Sequence, residues 1–302
     1  MNGKISNFAQ VASLRRYAYV SGKEKGIEVI DCDNGKLRFM LNVTKALDVM
    51  QLYHCGQNVS FLSKNAFTSR EIPFGERFEG GMVYTCGLNS LGHREGFELH
   101  GSLHNTTAQV VCTRCDEDGI YVEAIMESTE LFGKNLVFRR KISSAIGSES
   151  LKIEDTLENR GFRDEDYCLL YHINVGYPML DEGGKIEAEL NKYYTRSEWA
   201  KENEGRMFDI VDSIPNDPET CYFLDLKKPC VSLTNSKLGK KFTVSYSDDT
   251  LPCFIEWHSM ASGDYALGLE PSTSMLDSTF EYKKIAPDEK INFTVELSVN
   301  KI

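Results

Sequence analysis

Residues 26–43 read GIEVIDCDNGKLRFMLNV, and the fold class turns on this stretch. Two runs rich in apolar and β-branched residues flank Asp33-Asn34-Gly35. Asn-Gly is the strongest short hairpin signal, because a tight two-stranded turn needs the left-handed backbone that these residues tolerate. Alternation with a period of two recurs in NVSFLSK (58–64), AQVVCTRC (108–115), GIYVEAIMEST (119–129), NLVFRRKIS (135–143) and SLKIEDTLEN (150–159). It continues in KIEAELN (185–191), KFTVSYS (241–247), CFIEWHSM (253–260) and INFTVELSV (291–299). Asp118-Gly119, Gly133, Gly147 and Gly183-Gly184 supply turn chemistry between runs. The pattern predicts an all-β chain of large antiparallel sheets with few short helices. Helices are expected only in SNFAQVASLRRYAYV (6–20), with Ser6 as its cap, and in SEWAKENEGRMF (197–208). No Pro-, Gly- or Ser-rich linker, charge block or repeat divides residues 1–302, so they read as one domain.

Hydrophobic residues make up 41% of the 302 and charged residues 26%, enough for a full core. Lys and Arg total 34 against 45 acids, a formal charge of -11. That balance argues against nucleic acid and against an anionic membrane as partners. No run of about 18 apolar residues is present to span a bilayer. The first residues, MNGKISNFAQVASLRRYAYVSG, lack the apolar core of a signal peptide. Nine scattered cysteines, an odd number, fit reduced thiols in a cytoplasmic protein better than a disulfide framework.

Six histidines occur, and GFELHGSLHN (96–105) places His100 and His104 four apart. On a helix that spacing aims two imidazoles at one zinc ion. Here Gly101 and Asn105 are poor helix residues and the surroundings are β, so the spacing loses that meaning. Cys112 and Cys115 have no second pair at metal-binding spacing, and no HExxH is present. No GxSxG elbow, GxGxxG or P-loop is found either. Neither a metal nor a cofactor is expected.

Three polar islands remain: GHREGFELHGSLHN (92–105), LLYHINVGYPMLDEGG (169–184) and EWHSMASGDYALGLEPSTSM (256–275). His172 follows Leu169-Leu170-Tyr171, and is either a core histidine with a partner or part of a pocket. Glu270 lies between Leu269 and Pro271; there it is either solvated at a strand end or enclosed, with its pKa raised.

In order and spacing the three islands resemble the galactose mutarotase-like superfamily, the aldose 1-epimerases. ELHGSLHNTTA matches its first histidine segment at His100, YHINVGYPML the second at His172, and LGLEPST the glutamate segment at Glu270. The wording is nearest to a branch of aldose 1-epimerase-like proteins set apart from the true galactose mutarotases. The resemblance implies a β-supersandwich that takes a small-molecule sugar, with a homodimer left open. It implies Glu270 as base, His172 as acid and His100 at the ring oxygen or a neighbouring hydroxyl. Arg94 and Asn174 are then candidate hydroxyl ligands, and Trp257 offers either an aromatic face to the sugar or a core side chain. The sugar-binding aspartate and arginine segments of the true mutarotases have no clear match; Asp225, Lys45 and Asp48 lie at comparable places without an assigned role. The function implied is interconversion of α and β anomers. A carbohydrate-binding protein without catalysis, and a sugar isomerase or lyase using the same pair, are the alternatives.

Overall fold

A computed structural model describes residues 3–302, and its regular structure is almost wholly antiparallel strand. A first sheet runs in chain order through β1 (Ser13–Ala18), β2 (Glu28–Asp33), β3 (Leu37–Asn42), β4 (Asp48–His54) and β5 (Gln57–Asn58). The second contains β6 (Val83–Leu88), β7 (Gln109–Cys115), β8 (Ile120–Thr129), β9 (Asn135–Ser144), β10 (Ser150–Asn159), β11 (Glu165–Val175) and β12 (Lys185–Thr195). It continues with β13 (Thr220–Asn235), β14 (Lys240–Tyr246), β15 (Cys253–Ser259), β16 (Ala266–Ser272), β17 (Lys283–Ile285) and β18 (Lys290–Lys301). Its order is β17-β11-β16-β15-β13-β14-β18-β10-β9-β8-β7, with β6 added to β11 and β12 to β13.

The hairpin at Asn34 forms as its sequence predicts. The buried Asn34 amide oxygen accepts from Lys36 N and Leu37 N, while its Nδ2 donates to Ser144 Oγ at 2.7 Å and so ties the turn to the second sheet. Strands β8, β9 and β10 alternate buried and half-buried residues along most of their length, as period-two patterning requires. One apolar cluster gathers Phe39 of β3, Leu52 of β4, Val122 of β8, Ile173 of β11, Leu224 of β13 and Val295 of β18. Strands so far apart in one sheet reach a common core only because the sheet curves around it.

Two expectations fail locally. The N-terminal segment is not a long helix capped by Ser6: Phe8–Gln10 form a single 3-10 turn capped by Asn7, and Ser13–Ala18 is a strand paired to β2. No side chain of that turn is buried, so helical propensity finds no packing, and the ladder to β2 satisfies the backbone instead. In NVSFLSK only Asn58 is in a strand, while Ser60 and Leu62 make isolated bridges to Val175 and Gly80. The second helix is present as α2 (Glu198–Glu202), where Ser197 Oγ accepts from Ala200 N; the other α-helical turn among the described residues is α1 (Phe74–Arg77). Among the described residues no helix is long and apolar enough to cross a membrane.

Candidate active site

The site grows out of one face of the second sheet. Along β11, Tyr171, Ile173 and Val175 join the main core, while Leu170 belongs to a separate cluster on the other face and His172 shares that side. On β16, Leu267 and Leu269 enter the core, which leaves Gly268 and Glu270 on the opposite side. The β11–β16 register pairs Leu170 with Ser272 and Ile173 with Leu269, so His172 falls opposite Glu270. Strand β15 brings Ile255 beside Glu270 and Trp257 beside Gly268, and β13 brings Cys221 beside Trp257. A cavity of about 710 Å³ opens over this floor, within the range of small-molecule sites.

His172 Nε2 and Glu270 Oε1 are 3.3 Å apart, both side chains buried. Glu270 Oε1, His172 Nδ1 and His100 Nδ1 are buried without hydrogen-bond partners. Such atoms are uncommon inside proteins, and three of them meet in one cavity, where a polar ligand could reach them. Burial pushes the Glu270 carboxyl up to about 8, with Arg196 opposing and Glu219 reinforcing. Burial lowers His172 to about 3, helped by His100, and lowers His100 to about 4. Near neutral pH both imidazoles are therefore uncharged, and the proton of the His172–Glu270 pair resides on the carboxyl.

His100 comes from the loop before β7. Its φ of +64° is unusual for a side-chain-bearing residue, and its backbone is fixed by His100 N to Gly92 O at 3.2 Å and Gly87 N to His100 O at 3.0 Å. The glycine after it is required: a Cβ on Gly101 would lie 2.5 Å from Gly87 O. The His100 and His172 rings meet edge to face with centroids 5.6 Å apart. Phe74 and Phe78, stacked on each other on and just after α1, pack against His100 and His172 at 5.5 and 5.7 Å.

Trp257 lines the cavity with its ring centroid 5.4 Å from His172, and its Nε1 donates to Glu219 Oε2 at 2.7 Å. Glu219 is also ion-paired with Arg196, and Lys64 pairs with Asp264 at 2.7 Å among the lining residues. Arg196, Glu219, Phe74 and Phe78 escape a sequence reading. The FGERF spacing of two aromatics four apart is the available signal, whereas Arg196 and Glu219 meet only through strand pairing.

Other expected ligands lie elsewhere. Arg94 is outside the lining; its guanidinium sits 3.5 Å from the Phe280 ring centroid, a cation–π contact that turns it from the cavity. Asn174 does share the His172 side of β11, but it is fully buried beyond the lining and its Nδ2 donates to His172 O at 2.9 Å. Asp225 accepts from Asn191 at the surface, and Lys45 and Asp48 are buried in a polar network beneath the cavity. His104, four residues past His100, belongs to that network. Cys112 and Cys115 are strand residues of β7, and among the described residues no three His, Cys, Asp or Glu side chains gather to hold a metal.

The architecture is that of the galactose mutarotase-like fold. A structure named "putative aldose 1-epimerase" from Klebsiella pneumoniae superposes with a TM-score of 0.87 at 19% identity, over 95% of this chain and 83% of that one. A galactose mutarotase-like protein from Clostridium acetobutylicum matches at 0.75 and 14% identity, over 97% of this chain and 100% of that one. The sequence model of the family described as domain of unknown function DUF4432 matches residues 24–299, and the chain belongs to that family. No curated protein matches the sequence.

Proposed function

We propose that the chain is a mutarotase, interconverting the α and β anomers of an aldose in the cavity above β11 and β16. The observation that carries this reading is the buried His172–Glu270 pair, 3.3 Å apart, facing a space of about 710 Å³ walled by aromatic rings. Ring opening takes the proton from the C1 hydroxyl, breaks the C1–O5 bond and puts a proton on O5. Rotation about C1–C2 and the reverse transfers close the other anomer. One acid and one base are needed, and they exchange roles between opening and closing. A pair that holds one proton between an imidazole and a carboxyl has that composition. Transfer of the proton from Glu270 to His172 leaves the carboxylate to receive the C1 hydroxyl proton and the imidazolium to protonate O5. His100 stands beside His172 to bind O5 or a neighbouring hydroxyl. Trp257, Phe74 and Phe78 offer the apolar faces against which C–H faces of a sugar pack.

The test is NMR exchange spectroscopy between α and β anomeric protons across neutral, acidic and phosphorylated aldoses. Enhanced exchange for one sugar, lost in both His172→Ala and Glu270→Gln, is expected. Thermal stabilisation by a sugar without enhanced exchange would replace this reading with a carbohydrate-binding protein. Deuterium incorporated at a sugar carbon from heavy water would replace it with proton abstraction next to a carbonyl.

A further inference from the structure

Beneath the site lies a line of buried charges. Arg140 of β9 donates to Asp155 of β10 at 2.7 and 3.0 Å and to Asp48 of β4, and its third partner is Thr85 Oγ1 of β6 at 2.9 Å. Tyr171 of β11 adds a 2.7 Å bond to Asp155. Asp48 Oδ2 then meets His104 Nδ1 at 2.6 Å, His104 Nε2 meets Glu79 Oε1 at 2.9 Å, and Glu79 Oε2 lies 3.8 Å from Lys45 Nζ. All six charged members are at most 6% exposed, and the line joins strands of both sheets.

His104 is the joint of this line. Both of its ring nitrogens face carboxylate oxygens, which accept hydrogen bonds and donate none when ionised. A neutral imidazole has one N–H, so it would turn a lone pair toward one carboxylate at hydrogen-bond distance. Asp48 is kept ionised by Arg140 and by the N–H and hydroxyl of Thr85, and Glu79 is kept so by His104 and Lys45. With His104 charged, Arg140, His104 and Lys45 balance Asp155, Asp48 and Glu79. With His104 neutral, the buried network would hold an unmatched negative charge, which is costly.

The same ring stacks on Tyr84, centroids 3.6 Å apart, and Tyr84 packs against Phe74 and Phe78 of the cavity wall. Through the 3-10 turn Leu103–Asn105, His104 also anchors the segment that carries His100. We propose that His104 is a doubly protonated clamp between Asp48 and Glu79 that positions His100 and the aromatic wall. Its catalytic consequence rests on the mutarotase reading; the clamp itself does not.

The groups facing the clamp are Asp48 from β4, Glu79 ahead of β6, Tyr84 and Thr85 on β6, and Arg140 on β9, with Lys45 and Arg77 beyond Glu79. The experiment is imidazole ¹⁵N NMR on the full chain. In the wild type, both His104 nitrogens are expected to stay protonated at pH 7 while His100 and His172 each show one bare nitrogen. A bare nitrogen on His104 at that pH would overturn the clamp. In His104→Gln, His100 ring and amide resonances are expected to move. Unmoved His100 resonances would overturn the positioning role. Should His104→Gln not fold, Glu79→Gln carries the test: without one of its two flanking carboxylates, His104 should give up its second proton at a lower pH than in the wild type, and His100 resonances should follow that titration. If they do not follow, positioning is overturned. Where an aldose is exchanged, His104→Gln should slow exchange on the order of ten- to a hundredfold with sugar affinity within a few fold. Absence of exchange in the wild type would remove the mutarotase reading and leave the NMR result standing.

Discussion

Gly268 and Glu270 point to the same side of β16, and a methyl group on the first would sit 2.4 Å from Oε1 of the second. The same methyl would lie 3.2 Å from the Trp257 Cβ. The glycine is therefore the space into which the carboxyl fits. Because the obstructed atom is a side-chain end, the carboxyl is displaced before the fold is. Gly268→Ala is expected to lower anomer exchange about ten- to a hundredfold while costing under about 2 kcal/mol of stability. Exchange spectroscopy and urea unfolding on one preparation check both figures, and an unchanged exchange rate would show that the carboxyl position is not critical.

The pH profile follows from where the shared proton lies. With His172 lowered to about 3 and Glu270 raised to about 8, the one-proton state of the pair spans the neutral range. Exchange should hold level through pH 6 to 7 and decline as pH rises past about 8, when the carboxyl loses the proton. A rate that instead climbs through that point would mean that the bare carboxylate beside a neutral imidazole is the working form.

Stability carries the same signature. The native Glu270 carboxyl binds its proton more tightly than the unfolded chain does, so this stabilisation is complete below the ordinary glutamate pKa. It is lost as pH rises through about 8. Glu270→Gln removes that loss, and the variant should gain a few kcal/mol on the wild type between pH 5 and 9, since each tenfold difference in proton affinity between the native and unfolded chain is worth about 1.4 kcal/mol. On the acid side His100 and His172 act oppositely: their lowered values cost stability as pH falls from about 6.5 toward about 4 and about 3. Melting temperatures of the two proteins across that range give the comparison, and parallel curves above pH 6 would contradict a buried, protonated Glu270.

Arg140 is fully buried between Asp48 and Asp155. Arg140→Met would strand two carboxylates in the core, a change expected to cost about 3–5 kcal/mol. Urea denaturation reads the loss. A cost under about 1 kcal/mol would mean that the carboxylates take up protons or find water.

Trp257 is oriented by its bond to Glu219. Trp257→Phe keeps a ring over the site and loses the donor, so KM should rise several-fold with kcat little changed. A fall in kcat alone would instead tie the indole to the chemistry.

Local signals in the sequence are faithful where one strand face is wet. Alternation in β8, β9 and β10 and the Asn34 turn predict structure directly, because each residue's side of the sheet is written in its polarity. Strand β11 is different: from Tyr167 to Val175 every residue is buried, so polarity does not report which side faces a cavity. His172 and Glu270 are visible as polar residues among apolar ones, and the register makes them neighbours. Arg94 looks equally eligible in the sequence, but its place on Phe280 depends on a residue 186 positions away. His104 shows the converse: a histidine whose sequence leaves open a supporting role or a place in a loop closes a charge network whose other charged members come from four separate segments.

On β11 and β16, neighbouring residues serve different masters: Tyr171, Ile173, Leu267 and Leu269 fill the interior, while His172 and Glu270 face the cavity and Gly268 leaves room for the Glu270 carboxyl. A lineage can therefore revise what it binds by substituting alternate positions, leaving the residues that keep it folded untouched.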